Sequence, residues 1–284
     1  MSESPHPRAD ELSKLSTREL LTIMHGEDRR ALAAVEAHLD AVAAAVEAIA
    51  GRLRKGGRLH YFGAGTSGRL AALDAAECAP TFGIPAESVQ AHDAGDGEAE
   101  DDDRRGAAEA RKAGVRPVDA VVGVSAGGRT AYVLAALAAA RRSGSLVIGI
   151  SCSPGSPLGA AADLAIEVET GAEVIAGSTR LKAGTVQKVV LNMLSTGVFT
   201  LLGHTYRGRM IDVVASNEKL RGRAARIVAD LTGATAPRVE GALADAGGSA
   251  KLAILILRSG LAAGEARSRL SSAGGDLSAA LGEM

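Results

Sequence analysis

Aromatic side chains are scarce: 2% of 284 residues, with no tryptophan at all. The core must therefore come from Ala, Val, Leu and Ile, and a site that stacks bases or sugars on aromatic platforms is disfavoured. Charge of one sign is lacking too, since a formal net charge of -1 leaves no basic footprint for nucleic acid or an anionic membrane. Cysteine is limited to Cys78 and Cys152, which form no CxxC pair and no disulfide framework and read as buried thiols. The six histidines fall at no ligand spacing such as HExxH, so neither a metal nor a cofactor is expected. No run reaches the ~18–20 apolar residues of a membrane span. Met1 to Leu12 is polar, without the apolar stretch of a signal peptide, which makes the cytoplasm the expected compartment.

What is present is an ordinary globular balance, 46% hydrophobic and 23% charged, over a length that allows one large domain or a domain with an appendage. Residues 1–12 read as a flexible tail. Ser16-Thr17-Arg18-Glu19 is a capping box that opens a short helix to His25. Asp28 to Lys55 carries Leu, Val and Ile at helical spacing and ends at Gly56-Gly57. Short β-branched runs then alternate with helical stretches. Strands are expected at 58–62, 88–91, 119–124, 146–150 and 164–168, with helices at 68–79, 101–113 and 130–142 between them. This rhythm predicts an α/β fold, a five-stranded parallel sheet flanked by helices. A long helix with an apolar stripe follows Gly184 and runs through Leu202, and from about Ser216 three or four helical stretches are expected.

Two loops carry the chemistry. The first strand ends in Gly63-Ala64-Gly65-Thr66-Ser67-Gly68-Arg69, a Gly-rich turn that opens a helix. Small residues let backbone N–H groups approach an anion, and the helix dipole favours negative charge. The spacing matches neither GxxxxGK[ST] nor a dinucleotide-binding GxGxxG. The third strand ends similarly, in Ser125-Ala126-Gly127-Gly128-Arg129-Thr130. If the strand order is 2-1-3-4-5, both loops meet where the order reverses, the place where open α/β sheets bind ligands.

These loops resemble those of the sugar isomerase (SIS) domain, which binds phosphosugars. Within that superfamily the chain resembles the N-acetylmuramic acid 6-phosphate etherase family. The resemblance rests on Gly63 to Arg69, Leu73 to Cys78, Ile150 to Ser156, Gly177 to Thr185, Asn192 to Gly197 and Asp212 to Lys219. It implies an SIS-type domain over 13–215 and a small all-helical domain over 216–284. It also implies a lyase of amino-sugar catabolism and cell-wall recycling that works as a homodimer on one small phosphosugar, with no nucleic acid, membrane or cofactor. The implied reaction splits the D-lactyl ether at C3, leaving N-acetylglucosamine 6-phosphate.

Such a reaction calls for two carboxyl groups with separated pKa values, one to take the C2 proton and one to protonate the departing oxygen. The resemblance assigns the acid to Glu77, roughly 15 Å along the helix from Ser67 at ~1.5 Å per residue. It assigns the base to Glu100, although the segment from His92 to Glu98 is shorter than the family's and leaves Glu98 in competition. Gly65, Thr66, Ser67, Ser125, Gly127, Arg129 and Thr130 are expected to hold the phosphosugar, with Gly127 standing where the family usually carries Ser. Ser178, Arg180 and Lys182 precede the long helix. They are expected to join the phosphosugar-binding set, Arg180 and Lys182 neutralising phosphate or ordering a neighbouring subunit's site, because cations at a helix start oppose the dipole. A non-catalytic phosphosugar-binding regulator, like the glucokinase regulatory protein, and an aldose-ketose phosphosugar isomerase are the competing readings.

Overall fold

The computed structural model describes residues 4–212 and 218–283. By their contacts these fall into two units, Met1–Ala76 with Glu87–Gly197, and Glu77–Ala86 with Val198–Met284. Val213 to Asn217, where the domain junction was expected and which belong to the matching string Asp212 to Lys219, lie outside the described residues, as does the side chain of Lys219.

The first unit opens on α1 (Thr17–Ala34), capped by Ser16 and Glu19 in a reciprocal box, and α2 (Leu39–Leu53). The break between them differs from the expected one. The helix runs through Gly26, a mid-helix glycine costing only ~1 kcal/mol, and turns 3-10 at Val35–His38, where no Gly or Pro marks the site. Within the stretch read as a tail, His6 is buried, its Nε2 3.0 Å from Glu27 of α1.

The sheet comprises β1 (Leu59–Gly63), β2 (Val89–Asp93), β3 (Ala120–Val124), β4 (Leu146–Ser151) and β5 (Leu164–Glu167), all parallel, in the order β2-β1-β3-β4-β5. The expected strands are each within two residues of these bounds. The crossovers hold α3 (Gly65–Phe82), α4 (Asp103–Lys112), α5 (Ala131–Arg142) and a short α6 (Pro157–Ala161). The unit closes with α7, which runs Lys182–Leu201. Strands β1 and β3 are buried throughout, as expected of a sheet covered on both faces. Phe62, Val121 and Val147 pack with Tyr132, Val133 and Leu137 of α5 and Leu158 of α6. On the other face the Tyr61 hydroxyl and the Ser195 hydroxyl both donate to Asp74, at 3.1 Å each, which ties β1, α3 and α7 together.

The second unit contains a hairpin of β6 (Thr205–Tyr206) and β7 (Arg209–Met210). Its turn residues Arg207 and Gly208 both have positive φ, as a two-residue primed turn requires. Its remaining helices are α8 (Glu218–Thr232), α9 (Ala236–Asp245), α10 (Ala250–Ser259), α11 (Ala263–Ser272) and α12 (Leu277–Leu281). Among the described residues five helices thus stand where three or four were expected, around a core of Val228, Val239, Ala253, Ile254 and Leu255. Among the described residues no helix is long and apolar enough to cross a membrane.

A buried carboxylate locks the amino-terminal edge of the sheet. Asp119 accepts from the Arg58 and Arg116 backbone N–H groups, both at 2.8 Å, and from the Arg116 guanidinium. Burial alone would raise its pKa, but the Arg116 side-chain and backbone hydrogen bonds and the Arg58 backbone bond overcome this and hold it at about 2. A depressed carboxyl pKa stabilises the fold above the unfolded value near ~3.9, and the gain is lost as pH falls through the folded value. Asp119→Asn should therefore cost about 2 kcal/mol at pH 7 by chemical denaturation and flatten the stability loss that the wild type suffers between pH 4 and 2.

Candidate functional site

The carboxyl ends of four strands lie in one row: Asp93 of β2 pairs with Gly63 of β1, Gly63 with Val124 of β3, and Val124 with Ile150 of β4. At this edge Ala94, Ala64 and Ser125 leave their strands, roughly 5 Å apart, beside Ser151, the last residue of β4. From β1 the chain proceeds to β2 on one side, while β3 and β4 lie on the other, so the switch point falls between β1 and β3.

The first loop is tighter than expected. Only Ala64 separates β1 from α3, which starts at Gly65 rather than Gly68, so Thr66 and Ser67 occupy the first helical turn. N–H groups in that turn lack intrahelical partners and sit at the positive end of the dipole. Gly65 adopts φ +57 and donates to the Gly95 carbonyl at 2.7 Å. A β-carbon on Gly63 would come within 2.7 Å of the Gly68 nitrogen, and one on Gly68 would collide with the Asp93 carboxylate. No side chain fits between strand end and helix start.

Glu100 closes over this turn. Its Oε1 is 2.9 Å from where a β-carbon on Gly65 would stand, and Asp96 Oδ1 is 3.2 Å from the same point. Asp96 in turn accepts two hydrogen bonds from Arg69, at 2.8 and 3.0 Å, and Arg69 reaches Thr66 Oγ1 at 3.3 Å. Burial raises the Glu100 pKa above the ordinary range, reinforced by the Asp96 and Asp101 charges and opposed by Arg69. Glu98, on the same 3-10 turn, is exposed. The turn therefore gathers Gly65, Thr66, Ser67 and Glu100 at one spot, with Asp96 as a neighbour that sequence reasoning passed over.

In the second loop Ser125 Oγ and Thr130 Oγ1 are 2.8 Å apart, and the Gly128 N–H donates to Ser125 Oγ at 3.1 Å. Thr130 is the N-cap residue of α5, but its hydroxyl caps no helical N–H. Gly127 has open space about it, with nothing within 4 Å of a would-be β-carbon, and Arg129 is exposed. Gly128 is held at φ +65 against Ser156, whose hydroxyl donates to Glu167 at 2.7 Å.

The remaining residues separate. Ser178 is half-buried and Arg180 exposed. Lys182 is buried, and its ammonium meets Glu27 Oε2 at 2.6 Å; Glu27 also pairs with Arg30 and His6. Burial pulls the Lys182 pKa down against the opposing charge of Glu173, whose carboxylate accepts the Lys182 and Ala183 N–H groups at 3.2 and 3.0 Å. A cavity of about 200 Å³ is lined by Glu27, Asp28, Glu173, Arg180, Lys182 and Thr185. Glu77 is an exposed residue of α3 and belongs by its contacts to the second unit. Cys78 and Cys152 are buried; burial, then the Glu173 charge, pushes the Cys152 thiol up to about 12. One partner had no signal in the sequence: Gln187 of α7, whose Oε1 accepts from Ser67 Oγ at 3.0 Å.

Residues 27–152 match the SIS domain family. A protein of Rubrobacter xylanophilus named N-acetylmuramic acid 6-phosphate etherase is 49% identical over 100% of this chain and 96% of its own length. One of the same name from Mycolicibacterium smegmatis is 47% identical over 99% and 97%. Among solved structures, a phosphoheptose isomerase from Francisella tularensis superposes with a TM-score of 0.55 at 17% identity, over 66% of this chain and 100% of that one, a likeness of fold.

The buried Lys182–Glu27 pair makes a direct prediction. Lys182→Met takes the buried ammonium from Glu27, which keeps Arg30 and His6, and should cost about 3 kcal/mol in urea unfolding. Adding Glu27→Gln should recover part of that loss, because the buried carboxylate is removed with its lost partner.

Proposed function

The chain belongs to the N-acetylmuramic acid 6-phosphate etherase family, and from that membership we infer that it removes the D-lactyl group of N-acetylmuramic acid 6-phosphate. The products are N-acetylglucosamine 6-phosphate and D-lactate. What carries the chemical part of the reading is the Glu100 carboxylate against Gly65, at the mouth of the anion-binding turn.

The C2 proton of the open-chain sugar is acidic because it adjoins the aldehyde. Glu100 removes it, and the electron pair expels the C3 oxygen as lactate, which takes up a proton from Glu77. An α,β-unsaturated aldehyde results. Water then adds at C3 while C2 regains a proton, restoring a hydroxyl where the ether stood. The first turn of α3 and the Ser125–Thr130 loop hold the phosphate through N–H and hydroxyl donors. A base works best when its pKa lies close to the working pH while it remains ionised, which the raised Glu100 pKa favours. Glu100 takes this role in preference to Glu98 because it is the Glu100 carboxylate that lies against Gly65 of the α3 turn.

The reading extends to a cytoplasmic homodimer with no nucleic-acid partner. Its support is the net charge of -1, Leu73 left 47% exposed on α3, and a shallow depression lined by Val189, Met193 and Gly197 on α7.

Incubation with N-acetylmuramic acid 6-phosphate should release stoichiometric D-lactate. Tight sugar-phosphate binding without lactate would select a binding protein instead, and a ketose product an isomerase. Glu100→Gln should abolish solvent-deuterium exchange at C2, on the order of 10³-fold or more, while Glu98→Gln should leave it nearly intact. The acid limb of kcat/KM should lie above the ordinary glutamate range. Asp96→Asn should move that limb to lower pH, because it removes a like charge from Glu100 and releases Arg69 from its partner.

A further inference from the structure

Gln187 is 1% exposed, and among the described residues its Nε2 has no hydrogen-bond partner. A buried amide donor left unpaired is destabilising, because its hydration is lost with nothing in exchange. The amide reaches the first turn of α3 through its other atom, Oε1, which accepts from Ser67 Oγ at 3.0 Å. The two helices are tied together by Ser195 of α7, whose hydroxyl donates to Asp74 of α3 at 3.1 Å.

The Ser67 hydroxyl has one hydrogen. In the structure it is spent on Gln187 Oε1, so the hydroxyl has no proton left for an anion. A phosphate oxygen at the α3 turn accepts hydrogen bonds, and it gains from Ser67 only if that hydrogen turns toward it. Rotating the Gln187 amide by half a turn supplies the exchange. Nε2–H then donates to Ser67 Oγ, and Ser67 O–H donates to the phosphate. Before and after, one amide atom is unpaired: Nε2 without ligand, Oε1 with it. The switch is therefore close to balanced, and the added bond to a charged acceptor, which is stronger than a neutral one, decides it.

We propose that Gln187 is a positioning residue for phosphate, turning the Ser67 hydroxyl from an internal donor into a donor to the phosphate of the bound sugar. The proposal rests on the reading of the α3 turn as the phosphate site.

The test is calorimetric titration of the full chain with N-acetylglucosamine 6-phosphate and with inorganic phosphate. Ser67→Ala and Gln187→Met should each weaken sugar-phosphate binding about 10-fold, and the double variant should be no weaker than Ser67→Ala alone. Gln187→Met should also raise KM for N-acetylmuramic acid 6-phosphate while kcat stays within about 3-fold, and its Tm should equal or exceed the wild type's, because an orphaned donor has been removed. If the methionine variant fails to fold, Gln187→Glu at pH 8 serves, since it keeps length and acceptor but has no donor; it should weaken binding at least as much. Wild-type affinity in either variant, or additive losses in the double variant, overturns the proposal. Lactate release failing in a wild type that shows this coupling would sink the etherase reading and leave Gln187 standing, whereas a wild type that binds no sugar phosphate would sink both.

Discussion

The close approach of Gly63 to Gly68 is the constraint on which the site depends. A strand that is buried on both faces must hand over to a helix within one residue, and any β-carbon at either glycine would meet backbone or the Asp93 carboxylate. The result is a helix N-terminus driven up against the carboxyl edge of the sheet, at the strand-order switch point. The turn of Asp96 to Glu100 can then close over Gly65, because glycine presents nothing to keep a carboxylate away. One steric requirement thus sets a helix N-terminus and a carboxylate of raised pKa side by side.

The other side of the turn is fixed by polar groups in unusual places. Asp74 on α3 accepts from Tyr61 and Ser195, and Glu173 accepts the first N–H groups of α7. These contacts set α7 against α3, which is why Gln187 can reach Ser67 across 120 positions of sequence. Lys182 belongs to this framework through Glu27, so its conflict with the helix dipole is answered by a buried ion pair. Buried charges of this kind contribute little net stability when intact and cost several kcal/mol when half is removed.

The strands and their order were legible because β-branched runs alternate with glycine-bounded helical stretches, and such a rhythm admits few topologies. The two loops were legible for the same reason: glycine and hydroxyl residues directly after a strand have few other uses. The start of α3 was misjudged because glycines usually argue against helix, and here steric need overrides propensity. The hinge at Val35–His38 has no local marker. Glu100 and Glu98 differ by two places in an acidic run, and only the fold of the 3-10 turn separates them, burying one against Gly65 and exposing the other. Gln187 carries no signal at all in one dimension, since its meaning lies in a partner on another helix.

In the elimination the sugar C3–oxygen bond breaks, and water rebuilds it. Turnover of N-acetylmuramic acid 6-phosphate in ¹⁸O-enriched water, read by mass spectrometry of both products, tests this most directly. The label should appear at C3 of N-acetylglucosamine 6-phosphate and be absent from D-lactate. Label in the lactate, with unlabelled sugar, would mean cleavage on the other side of the ether oxygen and would contradict the elimination assigned to Glu100.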